Sequence, residues 1–226
     1  ATAKIFSQLG VRIETPDAHT RIVHGVGLHG LKASAEALDC GNAGTGMRLL
    51  TGLLSAQAFD SVLVGDASLS KRPMARVIRL LEAMGAHIDA RDGNFAPLRI
   101  HGGRVLQGQS VDTQVASAQV KSALIFAALY AEGETVITEP RPTRDYTESM
   151  LKALGWPITF EPGRVALCGG GRLHAVNFRI PGDISSAAFL IAAALLIPES
   201  DITLRNIGIN PRRIGVLKAF KLMGGD

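Results

Sequence analysis

Leu81-Glu82-Ala83-Met84-Gly85-Ala86 returns further along the chain as Leu151-Lys152-Ala153-Leu154-Gly155-Trp156. Two more segments share its form, Phe6-Ser7-Gln8-Leu9-Gly10-Val11 and Phe220-Lys221-Leu222-Met223-Gly224-Gly225. Each reads as the last turn of a helix closed by a glycine just past its end, where left-handed backbone is favoured. The four glycines fall 75, 70 and 69 residues apart. A period that regular marks a repeated structural unit.

The interiors agree with the endings. Ahead of the later glycines lies an arginine in a loop that leads into the helix: Arg72, Arg144, and Arg212 or Arg213. Before that come β-rich stretches, Ser61–Val64, Thr135–Thr138 and Asp201–Leu204, each following an apolar helical run, Thr45–Ala56, Ala118–Ala131 and Ser185–Ile197. A strand is expected ahead of each run. After the glycine come Ala86–Ala90 and Leu98–His101, then Ile158–Glu161 and Arg164–Leu167. The unit is therefore strand, helix, strand, helix, strand, strand over roughly 70 residues.

Helix character sets the layers. Ser122–Tyr130 and Ala187–Ile197 are apolar all round and call for burial on every side. Met74–Met84 and Tyr146–Leu154 mix charged with apolar positions at helical spacing and belong nearer a flank. The expected fold is α+β: a lobe of three repeated β-α-β-α-β-β units with buried helices walled by small sheets. Its expected parts are a partial unit 1–34, units at about 35–104 and 105–174, and a partial unit at about 175–226. Beginning and ending in mid-unit reads as a piece of a longer chain.

Composition excludes several function classes. Of 226 residues 46% are apolar and 19% charged, as in soluble globular proteins, and the 25 glycines point to many turns or close approaches. A net charge of +4, with no basic run longer than two, leaves no nucleic-acid or membrane footprint. It does leave room for a small acidic substrate. Cys40 and Cys168 stand far apart and read as free thiols of a reducing compartment. The six histidines form no H-x-x-x-H pair, so no metal site is expected. No signal peptide opens the chain, and the longest apolar run is well short of the ~18–20 residues of a membrane span, so the expected location is cytoplasmic.

Gly41-Asn42-Ala43-Gly44-Thr45-Gly46-Met47-Arg48 precedes the first apolar helix. Unpartnered N–H groups at a helix start carry partial positive charge and suit an anion. Glycines allow close approach, and Asn42 or Thr45 is a candidate helix cap. A plain glycine-rich turn is the equal alternative on this stretch alone. The order G-x-x-G-x-G is neither the dinucleotide fingerprint nor a nucleotide P-loop. Repetition sets Arg72 and Arg144 in equivalent loops, and helix starts rich in small or hydroxyl residues beside them, so one end of the lobe would collect anions.

With Lys71-Arg72-Pro73-Met74, Ala116-Ser117-Ala118-Gln119-Val120-Lys121-Ser122-Ala123 and Thr143-Arg144-Asp145 added, the chain resembles the 5-enolpyruvylshikimate-3-phosphate synthase family along nearly its whole length. The Ala-Ser-Ala-Gln-Val-Lys-Ser form with arginine at 144 is similar to the branch called class II. The resemblance implies two lobes of three units each, of which this chain would hold most of one, without the family's N-terminal Pro-Gly-Ser-Lys-Ser strand. It implies transfer of enolpyruvyl from phosphoenolpyruvate to the 5-hydroxyl of shikimate 3-phosphate with release of phosphate, in the pathway to chorismate and the aromatic amino acids. No cofactor and no metal is implied.

Carried over by resemblance, Asn42, Gly44 and Thr45 line the phosphoenolpyruvate pocket, and glycine at 44 leaves room for the inhibitor glyphosate. Arg72 bonds phosphoenolpyruvate. Ser117 and Gln119 hold shikimate 3-phosphate, Ala118 offers only its backbone N–H where the other branch has serine, and Arg144 takes the 3-phosphate. Arg48 reads as a structural ion pair, Tyr146 as core packing, and Lys121 as facing either cleft or solvent. The family's general base, lysines and further arginines lie in the second lobe or the absent strand, so no catalytic residue is expected here and the chain alone is expected not to turn over. A non-catalytic phosphate-ligand-binding lobe is a rival reading physically close to what this chain alone would be, and two others are weaker. The UDP-N-acetylglucosamine enolpyruvyl transferases need a reactive loop cysteine, which neither Cys40 nor Cys168 suits. An RNA-binding repeat protein needs clustered Lys/Arg and exposed aromatics, and aromatics are 5% here.

Overall fold

Residues 1–225 are described by a computed structural model. The chain divides into two compact units, 1–173 and 174–226. The repeat led us to expect one lobe over 1–226; instead a boundary falls within a residue of the expected start of the last partial repeat.

Unit one opens with α1 (Thr2–Gln8), β1 (Arg12–Glu14) and β2 (Ile22–His24), the last two forming an antiparallel pair. The first full repeat is β3 (Leu38–Asp39), α2 (Gly44–Leu54), β4 (Ser61–Val64), α3 (Ala75–Ala83), β5 (His87–Arg91) and β6 (Phe95–His101). The second is β7 (Ser110–Asp112), α4 (Ala118–Ala128), β8 (Glu134–Thr138), α5 (Tyr146–Ala153), β9 (Ile158–Glu161) and β10 (Arg164–Cys168). The sheets have the same wiring, β3-β4-β6-β5 and β7-β8-β10-β9. In each, the first two strands are parallel and the other pairings antiparallel.

The closing glycines behave alike at all four places. Gly10, Gly85, Gly155 and Gly224 have φ of +87°, +101°, +83° and +92°. Each is followed by a backbone N–H that reaches back to the fifth residue before it: Val11 to Phe6, Ala86 to Leu81, Trp156 to Leu151 and Gly225 to Phe220, at 2.9–3.1 Å. That is the Schellman closure, which satisfies carbonyls left over at a helix end. The repeated sequence is thus a repeated helix stop.

Why the apolar helices go inside is visible at their contact. Met47, Leu50 and Leu54 of α2 share one core with Leu124 and Ile125 of α4, with Ile5 and Leu9 at the α1 end, and with Leu63, Leu98 and Ile137 from the two sheets. Each such side chain contributes about 1.5–3 kcal/mol on full burial. At Gly52 the helices come so close that a Cβ would lie 2.0 Å from the Ala123 carbonyl oxygen. Only glycine permits that approach.

Unit two holds α6 (Ile184–Leu196) and α7 (Gly215–Leu222). Asp183 caps α6, its Oδ1 accepting from the Ser185 N–H at 3.1 Å. Two expectations fail here. Asp201–Leu204 forms no strand, and Ala187–Ile197 is not buried all round: Phe189 is 79% and Leu196 82% exposed, and only Ile184 and Ala187 of the helix are buried. Within this unit one helix and a single bridge, Gly182 to Ile207, are too little to cover an apolar cylinder.

Candidate anion-binding site

The start of α2 carries no side-chain cap. The residue at its cap is Ala43, so neither Asn42 nor Thr45 does that job, contrary to expectation. Both are used differently. The Asn42 amide donates from Nδ2 to Asp66 Oδ2 at 2.8 Å and accepts at Oδ1 from Arg72 Nη2 at 2.5 Å. Thr45 Oγ1 accepts from Gln119 Nε2 at 2.8 Å, a link from the start of α2 to the first turn of α4.

Asp66 sits at the base of this arrangement. Its Oδ1 accepts from the Leu69 N–H at 2.7 Å, pinning the turn Leu69–Lys71 that delivers Arg72. Those bonds to Leu69, and then to Asn42, hold its carboxyl below the usual aspartate range. Gly44 faces the same guanidinium: a Cβ there would stand 3.1 Å from Arg72 Nη1 and 3.4 Å from Arg48 Nη1.

Arg48 is not the structural ion pair the sequence suggested. Nη1 donates to Gln119 Oε1 at 2.8 Å and Nη2 to the Pro73 carbonyl oxygen at 3.0 Å. Neither Arg48 nor Arg72 meets a carboxylate in an ion pair among the described residues. Burial, and then the nearby charges of Arg72 and Arg76, push the Arg48 guanidinium below its ordinary value. Partly buried cations that face one another without a direct ion pair are arranged for an anion.

The remaining members lie on the second repeat. Ser117 is the cap of α4 and its Oγ accepts from the Val120 N–H at 3.4 Å, so it stands at the helix head as expected, with Ala118 and Gln119 beginning the first turn. Arg144 is half-buried in the loop before α5 and makes no side-chain hydrogen bond or ion pair among the described residues. No bond ties it to the Arg48–Arg72 group. Its loop is anchored from below: Lys121 Nζ pairs with Glu139 at 2.8 Å and Glu148 at 2.7 Å, and Glu139 accepts from Thr143 Oγ1 at 2.5 Å. Lys121 therefore faces neither cleft nor solvent; it is buried as an ion-pair centre. Tyr146, expected in the core, is 46% exposed.

Asn42, Gly44, Thr45, Arg72 and Gln119 are thus brought into one bonded group, with Ser117 and Ala118 one turn or less from Gln119. Sequence reasoning missed the roles of Asp66 and Arg48. Asp66 lies 24 residues from Asn42, and no local pattern links them. Arg48 was legible as part of the motif, and only its 2.8 Å bond to Gln119 assigns it to the site. A cavity of about 960 Å³ lies elsewhere, lined by Phe6, Val11, Ile13, Leu28, Leu53 and Tyr130 among others. Its walls are mainly apolar, with Arg21 and Arg172 among them, and include none of the residues expected for the site.

Comparison with known proteins identifies the family. The family model for EPSP synthase (3-phosphoshikimate 1-carboxyvinyltransferase) matches residues 1–226. The chain is 62% identical over its whole length to the 3-phosphoshikimate 1-carboxyvinyltransferase of Xanthomonas campestris pv. campestris strain B100, covering 52% of it. It is 61% identical to that of Xanthomonas oryzae pv. oryzae strain PXO99A, covering 51%. The EPSP synthase structure from Acinetobacter baumannii superposes with a TM-score of 0.90 at 51% identity, over 99% of this chain and 50% of that one. The chain spans about half the length of the curated relatives it matches, and no helix among its described residues is long and apolar enough to cross a membrane. It belongs to the EPSP synthase (3-phosphoshikimate 1-carboxyvinyltransferase) family.

Proposed function

We propose that this chain supplies the binding half of an enolpyruvyl transferase site. The whole protein would join phosphoenolpyruvate to the 5-hydroxyl of shikimate 3-phosphate by addition and then elimination of phosphate, through a tetrahedral ketal. The observation that carries the reading is the unpaired cation group at an uncapped helix start: Arg48 and Arg72 over Gly44, with Asn42 and Thr45 beside them. Phosphoenolpyruvate brings a carboxylate and a phosphate, which guanidinium forks and free N–H groups match.

Shikimate 3-phosphate would lie across the head of α4. Gln119 has one amide hydrogen beyond its bond to Thr45, suited to a ring hydroxyl. The Ser117 Oγ and the Ala118 N–H stand at the helix start, and Arg144, free of protein partners among the described residues, suits the 3-phosphate. These residues bind and orient; none is placed to move a proton. Asp66, the carboxylate linked to the group, is committed to Leu69 and Asn42. The acid and base would come from a second lobe of the same enzyme, closing over the ligand and excluding water.

Two measurements test this. Titration with shikimate 3-phosphate should shift the amides of Ser117, Gln119 and Arg144, and no response at those three removes the assignment. The 226-residue chain should release no phosphate in a steady-state assay with both substrates. Turnover at the rate of a complete enzyme would place the proton chemistry inside this chain and sink the division of labour.

A further inference from the structure

His87 and His101 face each other across the β5–β6 pairing, in register, on the outer side of the first repeat's sheet. Their rings stack with centroids 4.3 Å apart and planes 20° from parallel. Asp89, two residues along β5 and so on the same side, reaches both: its Oδ2 is 2.8 Å from His101 Nε2 and its Oδ1 3.7 Å from His87 Nε2. The three ligand atoms lie within 4.8 Å of one another. We propose that His87, Asp89 and His101 form a surface site for a borderline divalent cation of the zinc, nickel or copper class.

The donor set and geometry carry this. Two imidazole nitrogens and one carboxylate oxygen are the ligands such ions favour, whereas magnesium and calcium require mostly oxygen. Bonds of about 2.0–2.2 Å to a tetrahedral ion set ligand atoms about 3.4 Å apart. The Asp89–His101 pair is already closer than that, and rotation of the exposed His87 and Asp89 side chains closes the rest. Asp60 stands behind His101, with Oδ2 3.8 Å from Nδ1. With an ion on Nε2 the ring proton must sit on Nδ1, on the side of this carboxylate. The ion would take the place of the contact that now joins His101 Nε2 to Asp89. Arg99, opposite Asp89 in the pairing, adds repulsion and limits the affinity. A fourth position stays open to water.

The fold does not demand these residues. The second repeat builds the same β9–β10 pairing from 158–168 without a histidine. Nor does the anion site use them.

The test is calorimetric titration of the full chain carrying Cys168→Ser, which removes the exposed thiol, with Zn²⁺ and separately with Ni²⁺. One ion per chain is expected, and His87→Ala and His101→Gln should each weaken binding at least about tenfold. Glutamine at 101 keeps a donor for Asp89, so that variant retains the native contact. In the unmutated chain, Ni²⁺ should broaden the ring protons of His87 and His101 ahead of those of His19, His24, His29 and His174. Absence of binding, an affinity unchanged in both variants, loss in only one of them, or broadening that begins at another histidine would each overturn the site.

Discussion

The two full repeats share a wiring diagram and differ in where they put their polar groups. In the first, Arg48, Arg72, Asn42 and Thr45 gather at an uncapped helix start open to ligand. In the second, the helix start is capped by Ser117, and the charged groups go underneath: Lys121, Glu139 and Glu148 form a triad with side chains at most 5% exposed. The first repeat leaves Arg48 and Arg72 without a direct ion pair among the described residues, Asp66 reaching Arg72 only through Asn42, and the second encloses two carboxylates around one cation. Burial of the triad holds the loop of Arg144 while that arginine itself stays free. One fold unit is thus used once to gather positive charge and once to brace a loop that presents it.

Breaking the brace should have the largest effect. Lys121→Met removes the cation between two buried carboxylates, one of which, Glu148, already has an oxygen without a partner. Breaking a buried pair from one side costs about 3–5 kcal/mol. Denaturant unfolding should show a loss of that size, and amides at 139–145 should shift most. A loss under about 1 kcal/mol would mean that apolar packing, not the triad, holds this loop.

The junction between the repeats is the next target. Gly52→Ala puts a methyl 2.0 Å from a backbone oxygen of α4, which cannot rotate away, so the helices must part. Overpacking of this kind costs about 1–3 kcal/mol. Gly46→Ala in the same helix is the control, since its Cβ would meet only Ala43 at 3.5 Å. That variant should hold or gain up to about 1 kcal/mol through helix propensity. Equal loss in both would deny that the α2–α4 approach is the cause.

Gly44→Ala probes the open helix start with little effect on stability. Its methyl would stand 3.1 Å from Arg72 Nη1, the end of a flexible side chain that can give way. The displaced guanidinium loses part of a charge-assisted contact of about 1.5–3 kcal/mol, so binding of phosphoenolpyruvate should weaken about tenfold while the unfolding midpoint holds. Unchanged affinity would detach Arg72 from the ligand.

Which of these differences were legible in the sequence follows from their range. The Gly-closed helix stops are local, set by a few residues each, and all four appear with positive φ. The strands Ser61–Val64 and Ile158–Glu161 fall on the residues expected, because alternation and flanking turns are local as well. Asn42, Gly44 and Thr45 were recognisable from their motif, and that they bond Arg72 and Gln119 depends on loops 30 and 74 residues away. The buried role of Lys121 was hidden for the same reason: its partners lie 18 and 27 residues on. The exposure of α6 was missed for another reason. All-round apolarity states a demand for cover, and only the neighbours present decide whether it is met.

The smallest effect expected is on Asp66, which joins the turn before Arg72 to Asn42. Its carboxyl is held below the ordinary aspartate value by the Leu69 N–H and then by Asn42, and in the unfolded chain it returns to that value. A depressed carboxylate stabilises the fold fully above the unfolded value, and that contribution is lost as pH falls through the folded one. Between pH 5 and pH 4, about the unfolded value, the turn should therefore stand intact, with the Leu69 amide unshifted. Below that range the amide should move with a midpoint under the ordinary aspartate value, and the Asn42–Arg72 contact should loosen with it. Ser117 and Gln119 make no side-chain bond to a carboxylate among the described residues, so their amides should respond less over the same range. A midpoint for Leu69 at or above the ordinary aspartate value, or equal movement at all three, would mean that acid loosens the unit as a whole. In that case Asp66 would not be what keeps Arg72 in place.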